Sequence, residues 1–193
     1  LVVQEESMND KIKAIETVYK GCRFRSRLEA RWAVFFDCLG MEWRYEAEGY
    51  QLKNRWWLPD FWLPKLKVLV EIKATEEETG IVFGEIFSNY WGEDYANSWS
   101  LPGIPVVIWG DIPIPEDLPT NHIAVPWDEW YEFCICEYCG AVGLEFESRS
   151  GRIKCGCPDP GDGRSNAGDP RISAAYRAAR SARFERGESG APR

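Results

Sequence analysis

At 193 residues, 45% hydrophobic and 28% charged, the chain is long enough for one well-packed domain plus a small accessory unit. A formal net charge of −8 argues against a protein that coats nucleic acid through bulk positive charge. No apolar run approaches the ~20 residues of a membrane helix, and residues 1–6 lack the charged-then-apolar layout of a signal peptide, so no membrane partner and a cytoplasmic location are expected.

The charge is uneven. Residues 141–193 carry 10 Lys and Arg against 7 Asp and Glu, whereas residues 1–140 carry 13 against 24. Within the acidic part, Lys20, Arg23, Arg25, Arg27 and Arg31 form a local basic cluster, so the net charge alone does not forbid an anionic partner.

Residues 1–18 read as a polar N-terminal extension. Leu28, Trp32, Phe35, Phe36 and Leu39 then recur at helical spacing, with Ser26 as N-cap and Gly40 as stop, which predicts a helix over 27–39. Strands are expected at 42–52, 56–63 and 66–72, with Pro64-Lys65 as the turn between the last two. Residues 76–80 read as a polar loop, 84–98 as a helix and 104–109 as a short apolar strand, after which the Pro-rich 111–115 ends the regular core. The expected organisation is an α/β (α+β) domain over 19–125 with a mixed sheet flanked by helices. A cysteine-bearing element over 126–158, a Pro-, Gly- and Asp-rich linker over 159–170 and a C-terminal helix and tail over 171–193 follow.

Most of the chemistry lies in Pro59-Asp60, ten further residues, and Glu71-Ile72-Lys73. Glu71 and Lys73 stand two apart on an expected strand and share a face. With a two-residue loop at Pro64-Lys65, Asp60 would lie opposite Leu69 and diagonal to Glu71, about 7–8 Å away at Cα. A one-residue slip would turn Asp60 to the other face. Converging carboxylates suit a hard cation such as Mg²⁺, and a neighbouring lysine can position water or stabilise charge in a phosphoryl transition state. The competing reading has Asp60 capping a turn while Glu71 and Lys73 end a solvated strand.

Glu29 on the first helix, then Asp60, Glu71 and Lys73, resemble in type and order the PD-(D/E)xK, or restriction-endonuclease-like, nuclease superfamily. The resemblance covers residues 19–115, and the stretch 19–73 is similar to small proteins of phages and their bacterial hosts. It implies a Mg²⁺- or Mn²⁺-dependent hydrolase of phosphodiester bonds, acting as an endonuclease on DNA in preference to RNA, in the cytoplasm of a bacterium or phage-infected cell. By the same resemblance Asp60 and Glu71 bind the catalytic metal with Glu29, Lys73 assists the attacking water, and a homodimer would suit cutting of both strands.

Glu29 has a second reading, since Ser26-Arg27-Leu28-Glu29 is a capping box. Arg25 and Arg31 could grip phosphate; equally, Arg25 could pair with Glu29 four residues on. Glu85 and Asn89 are weaker site candidates on the following helix, and the single His122 reads as structural.

Cysteine spacing points to a second metal. Five of the seven cysteines fall within residues 134–157, which is unlike a scattered disulfide framework. Cys136-Glu137-Tyr138-Cys139 and Cys155-Gly156-Cys157 are two knuckles separated by a hairpin-sized insert with its tip near 148–151, a zinc-ribbon-like pattern for a structural Zn²⁺ on four thiolates. Cys134 either replaces Cys136 or is buried, and Cys22 and Cys38 read as small core residues. Arg152 and Lys154 could meet nucleic acid or face water. In the last helix, Ile172, Tyr176 and Ala179 form a stripe that would dock on the core while the arginines face solvent or track phosphates. A non-catalytic nucleic-acid-binding module and a Trp-rich protein-interaction scaffold remain the competing functional classes.

Overall fold

The structure, a computed structural model, describes residues 14–90, 104, 106–115, 122–125, 129–146, 157 and 168–184, with backbone alone for 87–90, 122–125, 129–131 and 145–146. Strands β1 (Thr17–Tyr19) and β2 (Cys22–Phe24) form a small hairpin ahead of helix α1 (Arg27–Cys38). Ser26 caps α1 by accepting from the Glu29 backbone N–H, and Gly40, at φ 63°, takes the left-handed position just beyond the helix.

The next strands are shorter than their apolar patterns predict. The expected strand over 42–52 divides into β3 (Arg44–Tyr45) and β4 (Tyr50–Gln51), and that over 56–63 into β5 (Trp56–Trp57) and β6 (Phe61–Leu63). Each break has a local cause. Glu46 sits at φ 46°, which turns the chain out of the extended path, and Pro59 offers no backbone N–H to a ladder. As a result β4 and β5 pair with each other as a separate two-stranded ribbon, while β3 pairs with β6.

Strand β7 (Val68–Ile72) follows a four-residue turn. Its register, Phe61 with Val70 and Leu63 with Val68, corrects the expected two-residue loop: Lys67 adopts φ 54° and its N–H bonds back to Leu63 O at 2.8 Å. Helix α2 (Glu76–Tyr90) begins eight residues earlier than 84, because three glutamates in its first turn suit the positive helix end and Thr75 Oγ1 accepts from the Glu78 N–H. Its expected continuation to 98 lies outside the described residues. Strand β8 (Val106–Trp109) returns parallel to β7.

The sheet does not stop at 111–115. Strands β9 (His122–Val125), β10 (Glu129–Ile135) and β11 (Val142–Phe146) extend it to the order β11-β10-β9-β8-β7-β6-β3, seven strands in which only β7 and β8 are parallel. The main sheet therefore runs across the expected boundary at 125/126. The fold is mixed α/β, with three helices and three sheets among the described residues.

Strand alternation gives the sheet two buried faces. Val68, Val70, Ile72, Val107 and Trp109 face α1 and helix α3 (Pro170–Ser181). Leu69, Val106 and Ile108 face Val82 and Ile86 of α2 and Trp57 of the β4–β5 ribbon. Docking of the last helix holds: Ile172, Ala175, Tyr176 and Ala179 are buried, and the Tyr176 ring stacks on Phe35 at 4.5 Å between centroids. The helix starts at Pro170 with Asp169 as cap, inside the expected linker. Arg180 reaches across to Ile112 O at 2.6 Å. No helix among the described residues is long and apolar enough to cross a membrane.

Candidate functional site

The corrected register decides how the acidic residues meet. Continuing the β6–β7 pairing one step past Phe61 and Val70 sets Asp60 directly opposite Glu71. The pairing differs from the expected one by an even number of residues, so the faces survive: Asp60, Glu71 and Lys73 lie on the α2 side with Leu69. Asp60 is 2% exposed and Glu71 is 5% exposed, which contradicts the picture of a solvated strand end.

Every oxygen of this pair has a donor. Asp60 Oδ2 accepts the Ile72 backbone N–H at 2.7 Å, where β7 outruns β6, and Asp60 Oδ1 accepts from the Arg25 guanidinium at 2.7 Å. Glu71 Oε1 accepts from Lys73 Nζ at 2.6 Å, and Glu71 Oε2 accepts from the Trp57 indole N–H at 3.0 Å. Lys73 Nζ also donates to Ile72 O at 3.2 Å. The Lys73 backbone is tied to β8 through its N–H to Trp109 O, 2.9 Å.

Burial, followed by the nearby charges of Glu71 and Glu29, pushes the Asp60 carboxyl up to about 8, against the opposing pull of the Ile72 N–H and of Lys73. Arg25 does not cancel this. Its side chain is 56% exposed and is shared with Glu46 Oε1 at 2.8 Å, so water and a second carboxylate answer much of its charge. Two acids held together at this depth are each answered by one cationic side chain, Asp60 by Arg25 and Glu71 by Lys73.

Glu29 stands beside this pair, committed to other partners. Its oxygens accept from Ser26 Oγ at 2.7 Å, from the Arg25 backbone N–H at 3.1 Å and from the Tyr45 hydroxyl at 2.6 Å. The capping reading is thus realised with one change, the Arg25 N–H in place of that of Ser26. The expected Arg25–Glu29 ion pair is replaced by Arg25 with Asp60 and Glu46. Arg31 is half-buried on α1, with a buried Nε that has no hydrogen-bond partner among the described residues. Glu85 is paired with Arg55 at 2.6 Å. Three neighbours escaped the sequence reading: Tyr45, Glu46 and Trp57. Only long-range pairing brings them in, and no local spacing marks them.

The second centre sits at the turn between β10 and β11. Cys136 N–H bonds to Ala141 O at 2.9 Å and Gly140 N–H to Cys136 O at 2.8 Å. Gly140 at φ 72° makes the tight return possible. The sulfurs of Cys136, Cys139 and Cys157 all lie within 4.8 Å of one another. A tetrahedral ion with metal–sulfur bonds of ~2.3 Å needs sulfurs ~3.8 Å apart, so these three could hold a metal with little adjustment. Cys155, Arg152 and Lys154 lie outside the described residues. Strand β11 pairs back onto β10 with the knuckle as its turn; the expected hairpin tip at 148–151 lies outside the described residues. Cys134 is buried opposite Gly143 and outside the cluster. Cys22 is half-buried against the core, but Cys38 is exposed at the end of α1 and is not a core residue.

No protein-family model matches the chain, and no curated protein or solved structure matches it either.

Proposed function

We propose that this protein is a metal-dependent nuclease with a restriction-endonuclease-like core, hydrolysing phosphodiester bonds in DNA. The observation that carries this reading is the buried Asp60–Glu71 pair on adjacent strands, with Lys73 Nζ 2.6 Å from Glu71. Its setting supports it: α1, then the strands bearing Asp60 and Glu71-Ile72-Lys73, then a crossover helix to a parallel strand, in keeping with the PD-(D/E)xK resemblance.

Asp60 and Glu71 would hold Mg²⁺ or Mn²⁺. When bound, the ion supplies Lewis-acid polarisation of the phosphate and lowers the pKa of the attacking water. The chain's own groups do the rest. Lys73 Nζ, hydrogen-bonded to Glu71 at 2.6 Å, can turn towards the water or the phosphoryl oxygen. The Arg25 guanidinium, on the exposed side of Asp60, can exchange that carboxylate for a phosphate oxygen, where its planar fork binds in bidentate fashion. Glu29 fixes the backbone of Arg25 and the hydroxyl of Tyr45, and so frames the site. At the other centre Cys136, Cys139 and Cys157 would hold a structural Zn²⁺, with Cys155 as the fourth thiolate.

The test is cleavage of labelled linear duplex, single strand, branched junction and structured RNA with Mg²⁺, Mn²⁺ or EDTA. Metal-dependent cutting of DNA that disappears in both Asp60→Ala and Lys73→Ala is the expected result. Binding of the panel without cutting under any metal would replace this reading with a binding module.

A further inference from the structure

We propose that Trp57 is a positioning residue for the metal-holding carboxylate of Glu71, with its indole N–H setting the plane in which that carboxylate meets the ion. The proposal rests on the nuclease reading for its consequence in catalysis, and on geometry alone for its consequence in metal binding.

Trp56 and Trp57 are neighbours on β5 and alternate across the ribbon. Trp56 is 62% exposed, whereas Trp57 is 2% exposed and packs among Leu52, Leu69, Val82, Ile86, Val106 and Ile108. A buried indole N–H in such apolar company costs roughly 1–3 kcal/mol if left bare. Its acceptor is Glu71 Oε2, at 3.0 Å.

A glutamate carboxylate turns easily about its last torsion, which has broad, nearly two-fold preferences. At Glu71 that freedom is removed from both sides, by Trp57 on Oε2 and by Lys73 on Oε1. The two donors differ. Lys73 is a long chain, 23% exposed, and has work to do elsewhere in the reaction. Trp57 is rigid and locked by its packing, and its ribbon is fastened to α2 by Arg55 on Glu85 at 2.6 and 2.9 Å. Trp57 is therefore the donor that keeps its place when Lys73 moves. Outer partners of this type commonly change metal affinity by tenfold or more.

The test uses the full chain with two replacements at position 57. Trp57→Phe removes the N–H and some volume. Benzothienylalanine, inserted at a single codon, keeps the bicyclic shape and exchanges N–H for sulfur. Binding of Mn²⁺ without nucleic acid is followed by the electron paramagnetic resonance of the free ion. We expect Mn²⁺ affinity to fall about tenfold in both variants, with the benzothienyl protein still unfolding cooperatively. The metal concentration giving half-maximal cleavage should rise by the same factor, and the rate at saturating Mn²⁺ should fall less. Wild-type Mn²⁺ affinity in the benzothienyl protein, or no Mn²⁺ binding by the wild type, would overturn the proposal. Weakened Mn²⁺ binding in a protein that cuts nothing would keep the role of Trp57 and remove the nuclease reading instead.

Discussion

The two candidate metal centres are built in opposite ways. The Asp60–Glu71 centre lies deep between paired strands, and its oxygens are held by Ile72, Arg25, Lys73 and Trp57. Folding alone assembles it, at the cost of bringing like charges together out of water. The cysteine centre lies on a turn at the far edge of the sheet, where Cys139 is exposed. Its ligands come from a turn and from a residue further along the chain, so an ion would bind and stabilise in one act. A centre made by the fold strains the fold, whereas a centre completed by its ion supports it.

Four measurements would break or sharpen this contrast. The largest effect should come from Lys73→Ala, which removes the ammonium beside Glu71: cleavage should drop on the order of a thousandfold, far more than the accompanying loss of melting temperature accounts for. A matching loss of stability would mean that Lys73 serves the fold. Cys136→Ser should do the reverse, lowering stability by roughly 2–4 kcal/mol in denaturant titrations while leaving Mn²⁺ affinity at Asp60 alone.

The pH dependence comes next. In the folded protein the Asp60 carboxyl is raised to about 8, above the ~3.9 of an unfolded chain. Between these values the native state holds the extra proton, so stability without metal should fall as pH rises through the window. Asp60→Asn should flatten that slope, and added Mg²⁺ should offset it in the wild type only. A slope of opposite sign would show that Arg25 dominates Asp60. The smallest effect is expected from Tyr45→Phe, which deprives Glu29 of one donor: about 1 kcal/mol of stability, read from thermal melts, with metal affinity retained.

How far these features can be read from sequence depends on what each one rests on. Helix α1 is legible because cap, stripe and stop all lie within its own residues. The shared face of Asp60, Glu71 and Lys73 is legible because alternation has period two and tolerates an even shift of register. The register is not: nothing in Pro64-Lys65 announces that Lys67 will take a positive φ and lengthen the turn. The first turn of α2 hides for another reason. Its glutamates are exposed and carry no apolar rhythm, so a helix start stabilised by its own dipole looks like a loop. Trp57, Tyr45 and Glu46 reach the site through partners 14 to 16 residues away in the chain, or through Arg25 for Glu46, and such contacts leave no trace in spacing.

The docking of α3 on α1 has a bearing on how the protein is made. Trp32 and Phe35 are covered by Tyr176 from the last helix, yet they are synthesised some 140 residues earlier. During translation the aromatic face of α1 must wait, exposed, until the end of the chain emerges. The strands that carry Asp60 and Glu71 can pair well before that. The pairing that brings Asp60 to Glu71 is thus drafted early and the opposite, α1 face of the sheet is covered late, and a message truncated ahead of Pro170 would leave its product with bare aromatic surface, a ready target for chaperones and proteases.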